Sequence, residues 1–104
     1  ILTEAAPAVF RVNWAAQVDR ADGTVIARTP MAPELDRLPL DALGSLDEPH
    51  SVELPDGWLA GWPELLVAVA PFKQGTALVL ARAGGPAFIK SEVARLRHLA
   101  ALAN

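Results

Sequence analysis

The chain has 104 residues, 52% hydrophobic and 20% charged, a composition that excludes a disordered segment and fits one domain over residues 1–104 with its own core. A net charge of −3, with nine Lys and Arg scattered along the chain, excludes the basic stripe of a nucleic-acid binder, and the lack of cysteine excludes disulfides, thiolate metal sites and cysteine nucleophiles. The longest apolar stretch, residues 65–71, falls far short of the roughly 20 residues that span a bilayer, so no membrane partner is expected.

Residues Ile1–Ala6 read as a short helical stub ended by Pro7, because proline disfavours the α conformation in the residue before it. From Val9 to Asp19 the period changes. Val12, Trp14, Ala16 and Val18 alternate with Arg11, Asn13 and Gln17, which predicts a strand with one buried face. Asp22-Gly23 then marks a tight turn, since glycine supplies the positive φ that such turns demand, and Thr24–Arg28 is the return strand. Residues 9–29 are thus predicted to form an antiparallel hairpin.

Between Pro30 and Pro63 lie six of the nine prolines, a density of missing N–H donors that rules out long regular elements. Leu40–Leu46 is expected to make one or two helical turns, and His50–Leu54 a short edge strand. An irregular stretch of this length in a small domain suggests a functional cover or a binding loop.

Residues Glu64–Phe72 form a nearly continuous apolar run of strand length, the pattern of a central strand covered on both faces. Lys73-Gln74-Gly75 is a turn, Thr76–Arg82 a matching strand, and Ala83-Gly84-Gly85-Pro86 a break. Lys90–Ala103 then sets Val93, Leu96, Leu99, Ala100, Leu102 and Ala103 on one helical stripe opposite Arg95 and Arg97. Glu92 in the first turn complements the helix dipole. Because many apolar residues are alanine, the core is expected to lean on Phe10, Trp14, Leu65, Leu66, Leu78, Leu80, Phe88, Leu96 and Leu99. The fold class is α+β: an antiparallel sheet of about five strands with the C-terminal helix packed on one face.

The closing segment LLVAVAPFKQGTALVLARAGGPAFIKSEVARLRHLAALA, residues 65–103, resembles the second half of GAF domains. The matching positions are Val67–Pro71, Gly75, Leu78–Leu80, Pro86, Phe88, and Glu92-Val93 with Leu96, Leu99 and Ala100. The hairpin across Asp22-Gly23 sits where such domains place their first strand pair, and together these regions cover roughly two thirds of the chain. The resemblance implies a single non-catalytic sensory or regulatory domain of a cytoplasmic signalling protein. Such a domain relays a signal through its terminal helix to an output domain of the same chain, for example a histidine kinase of a two-component system, often as a homodimer. Ile1 in place of an initiator Met and the abrupt end at Asn104 fit a piece of a longer polypeptide. Of the family's ligand signatures, the Asn-Lys…Phe…Asp-Glu pattern of the cyclic-nucleotide binders and the cysteine of the bilin binders are absent, so no cofactor is expected; an unidentified small-molecule ligand stays open.

Few residues offer chemistry. Of the two histidines, His98 lies on the terminal helix between charged neighbours and reads as exposed. His50, in Glu48-Pro49-His50-Ser51, is the candidate ligand at a pocket edge, although a metal site needs several converging ligands. The carboxylate pairs Asp19 with Asp22 and Asp47 with Glu48 sit in turns, without the burial that general acid–base work requires. Ser45, Ser51 and Ser91 lack a nucleophile-elbow setting, and Gly84-Gly85-Pro86 lacks the lysine of a phosphate loop. Trp58 and Trp62, in Asp56-Gly57-Trp58-Leu59-Ala60-Gly61-Trp62, remain. They cap the core, plug a pocket, or face a ligand or partner. The terminal helix likewise has two readings: its stripe packs on the sheet, or Val93, Leu96, Ala100 and Ala103 build a dimer seam.

Overall fold

A computed structural model describes residues 2–62 and 64–103. Ile1, Pro63 and Asn104, assigned above to the head of the stub, the end of the proline-rich segment and the chain end, lie outside the described residues. The elements run α1 (Leu2–Phe10), β1 (Trp14–Asp19), β2 (Val25–Arg28), β3 (His50–Glu53), β4 (Leu65–Phe72), β5 (Thr76–Ala83) and α2 (Lys90–Leu102). All strand pairs are antiparallel and the sheet order is β2-β1-β5-β4-β3. The α+β class, the five strands and the packed C-terminal helix are as expected from the sequence.

The start of the chain differs. The helix does not stop before Pro7 but runs through it to Phe10. Thr3, Ala6 and Phe10 form a stripe at helical spacing, each at most 5% exposed, and packing this stripe on the sheet outweighs the one backbone bond that proline forgoes. Arg11, at φ 55°, ends the helix in the left-handed region, and the Val12 N–H donates to the Pro7 carbonyl at 3.2 Å. That bond closes a Schellman motif. The strand predicted from Val9 therefore begins only at Trp14.

The hairpin turn is built by short polar bonds. Asp22 Oδ1 accepts from the Thr24 hydroxyl at 2.7 Å and the Thr24 N–H at 2.9 Å, and the Thr24 hydroxyl bond, chief among these, holds the Asp22 carboxyl below its ordinary pKa. Gly23 has φ 78°, and a Cβ there would stand 2.5 Å from the Leu38 carbonyl oxygen. Glycine is thus required twice at this position, by backbone angle and by close approach.

Both faces of the sheet are covered. On one lie α1 and α2, with Phe10, Leu78, Leu80, Phe88, Leu96 and Ala100 in one apolar cluster. On the other, residues 29–62 contribute Leu38, Leu43, Leu46, Leu54 and Leu59, none more than 5% exposed. The irregular segment is therefore a third layer of the core. Its Leu40–Leu46 stretch makes hydrogen-bonded turns, such as Leu43 N–H to the Leu40 carbonyl at 3.0 Å, and no helix. On α2 the predicted stripe divides: Leu96 and Ala100 are buried, Val93 and Leu99 half-buried, and Leu102 and Ala103 exposed. No described helix is long and apolar enough to cross a membrane.

Candidate functional site

The face beneath residues 29–62 is where the sequence placed its site residues. Alternation along the strands turns Trp14, Ala16, Val18, Val67, Val69 and Val79 to this side. Two consecutive turns then deliver the loop tryptophans. Trp58 N–H donates to the Pro55 carbonyl and Trp62 N–H to the Leu59 carbonyl, both at 3.2 Å. Each turn has a glycine just before its tryptophan, Gly57 at φ 86° and Gly61 at φ 83°, as type II turns require. The Gly-Trp pair repeated at a spacing of four was the sequence signal for this double turn.

Trp58 and Trp62 are half-buried, and both pack against the cluster on this face. Trp62 meets the wholly buried Trp14 edge-on, with ring centroids 6.3 Å apart and planes at 69°, an arrangement favoured by the ring quadrupoles. The structure thus brings Trp58 and Trp62 into the core layer rather than out into solvent. The indole N–H groups of Trp14 and Trp58 meet no acceptor among the described residues.

His50 opens β3 and is half-buried. Its Nδ1 faces the Glu48 carbonyl at 2.8 Å and its Nε2 the Leu43 carbonyl at 2.6 Å. The ring therefore tethers the 43–48 turn to the sheet and turns neither nitrogen to an open cleft. Among the described residues no cluster of three or more His, Asp and Glu side chains stands together as metal ligands.

On the helix face, one residue escaped the sequence reading. Arg82, 5% exposed, closes the apolar run of β5 and sits under the start of α2. Its Nη2 donates to the Phe10 carbonyl at 2.6 Å and to Glu92 Oε2 at 2.8 Å. Nη1 donates to the Pro86 carbonyl at 2.9 Å and Nε to the Arg11 carbonyl at 3.3 Å. The guanidinium lies 4.1 Å over the Phe88 ring, a stacked geometry suited to a planar cation. The hydrogen bond from Arg82 holds the Glu92 carboxyl below its ordinary value. Glu92 Oε1 meanwhile accepts from the Ile89 N–H at 3.1 Å, the reach-back half of a capping box that Ile89, with no side-chain acceptor, leaves incomplete. An arginine closing an apolar strand, with a glutamate at the third helical position beyond the break, was the available signal.

Beside β3 the helix face is open. α2 packs over β4, and two adjoining hollows of about 250 and 110 Å³ run between β3 and the start of α2, sharing Ser51 and Phe88 in their walls.

Comparison with protein-family models, with curated proteins and with solved structures gives no match for the chain. The geometry above therefore carries the functional reading.

Proposed function

We propose that the chain is a non-catalytic regulatory module of GAF-like build that works in the cytoplasm without a small-molecule ligand. It binds a segment of another protein and passes that event along α2 to an output domain such as a histidine kinase. The observation that carries this reading is the packing of Trp14, Trp58 and Trp62 over the sheet face beneath residues 29–62. Side chains of the chain itself occupy the space where a sensory domain of this build would hold its ligand.

The Arg82 cluster supports the relay. It joins β5, the end of α1 and the first turn of α2 through one buried guanidinium, so a shift of the sheet moves the helix with it. A homodimer through α2 has to use the outward side of that helix, where Leu102 is 69% exposed, because Leu96 and Ala100 are held against the sheet.

Native mass spectrometry of the gently purified protein tests the absence of a ligand. The bare chain mass is expected. One small molecule retained per chain, and lost on Trp58→Ala or Trp62→Ala substitution, would overturn the reading.

A further inference from the structure

We propose that β3 is a docking edge for an extended peptide, which adds to the sheet beside β3 and lays alternate side chains in the groove between β3 and α2. The proposal rests on the reading of the chain as a protein-binding module and names the surface and the chemistry of the partner.

The main chain makes the first case. Leu54 N–H bonds the Leu65 carbonyl, and the β3–β4 register pairs Val52 with Val67 and His50 with Val69. Antiparallel strands alternate their bonding direction. Val52 and His50 therefore bond inward to β4, while the N–H and C=O of Ser51 and Glu53 point outward. No backbone partner meets these groups among the described residues. The opposite edge of the sheet is handled differently: Val25 N–H donates to the Asp36 carbonyl at 2.8 Å, and Thr24 bridges to Arg37. The chain thus covers the start of β2, whereas the outward groups of Ser51 and Glu53 on β3, a four-residue strand between Pro49 and Pro55, have no such cover among the described residues.

The groove makes the second case. Ser51 and Glu53 pair with Ala68 and Leu66, so their side chains share the helix face. The small Ser51 side chain forms a floor, with the Phe88 ring and Val93 as an apolar wall. Lys90 lies toward the His50 end and Glu53 at the other, and neither joins an ion pair among the described residues. A strand between an open edge and a helix is a recurring mode of peptide recognition, in which main-chain bonds supply affinity and alternate side chains supply specificity.

These features define the occupant. Running antiparallel to β3, it presents a basic side chain opposite Glu53, an aliphatic one opposite Ser51 against Phe88 and Val93, and an acidic one near Lys90. A second copy fits poorly, because a symmetric β3–β3 pair joins strands of four residues and covers far less than the roughly 800 Å² per partner of a stable interface.

The probe is the peptide acetyl-Arg-Thr-Leu-Thr-Glu-amide, titrated into the ¹⁵N-labelled chain. Saturable shifts are expected at the amides of Ser51, Glu53, Phe88 and Val93. Methylating the leucine nitrogen of the probe removes a main-chain donor and is expected to weaken binding about tenfold. Exchanging the terminal Arg and Glu is expected to weaken it several-fold. Ser51→Pro deletes an outward N–H without touching the ladder to β4, and is likewise expected to weaken binding about tenfold. Should that variant not fold, the methylated probe on the native chain decides the same point. Equal binding of the methylated probe, shifts centred on Trp58 and Trp62, or no saturable shift would each overturn the proposal. So would sedimentation showing a dimer that buries β3. A retained small molecule, by contrast, sinks only the ligand-free reading and leaves this titration standing.

Discussion

Replacing Arg82 by methionine keeps much of the aliphatic stem and removes the guanidinium that four acceptors share. The Glu92 carboxylate, 23% exposed, then loses its cationic partner, and the carbonyls of Phe10, Arg11 and Pro86 lose this donor. Breaking one side of a buried ion pair costs about 3–5 kcal/mol, a large share of the roughly 5–15 kcal/mol that holds a domain together. At about 4–8 °C per kcal/mol for a small domain, the melting midpoint is expected to fall by about 20 °C. Glu92→Gln keeps an acceptor for the Ile89 N–H and loses only the charge, so its cost is smaller, about 1–2 kcal/mol.

Acid gives the second reading of the same pair. Arg82 holds the folded Glu92 carboxyl below its ordinary value of 4.5. A depressed carboxyl contributes stability that is fully present above the unfolded value and is lost as pH falls through the folded one. The stability gap between the native chain and Glu92→Gln should therefore be widest at neutral pH and close progressively below 4.5. Chemical denaturation of the native chain, Arg82→Met and Glu92→Gln across that range measures both effects. A loss of less than about 1 kcal/mol for Arg82→Met, or a Glu92→Gln gap that stays constant into acid, would refute the assignment of Arg82 as the tie between sheet and helix.

Two further outcomes follow. Gly23→Ala forces a side chain into the left-handed region and against the Leu38 carbonyl, so it is expected to cost about 2–3 kcal/mol in denaturation; a neutral result would contradict the turn geometry. Trp62→Ala removes the edge contact to Trp14 and is expected to cost about 2–3 kcal/mol, less than a wholly buried tryptophan would, and to diminish the near-ultraviolet circular dichroism of the partner ring.

Much of the scaffold was legible in the sequence because single local rules decide it. Asp22-Gly23 demands its turn, the runs 65–72 and 76–83 have no face to expose, and the helical stripe around Leu96 has one. The N-terminal boundary was not. Phe10 and Val12 extend the alternation of Trp14, Ala16 and Val18 backwards, while Thr3, Ala6 and Phe10 also satisfy a helical stripe, and only packing on β1 chooses between them. The layer built from Leu38, Leu43, Leu46, Leu54 and Leu59 was equally hidden, since irregular backbone gives its apolar residues no period. Among the site candidates, the sequence singled out Trp58, Trp62 and His50 by type and could not give their direction. Arg82 was missed because its acceptors, the end of α1 and the start of α2, are brought together only by the tertiary fold.

The distribution of tryptophan has a spectroscopic consequence. The chain has three tryptophans and no tyrosine, and Trp14, Trp58 and Trp62 all belong to the layer opposite the helices. Intrinsic emission thus originates almost wholly on one side of the sheet, while the helical far-ultraviolet ellipticity originates on the other. Each layer carries its own natural reporter. Unfolding curves from the two signals compare the melting of the proline-rich cover with that of the helices, without any label, and their coincidence or separation shows whether the sheet joins them into one cooperative unit.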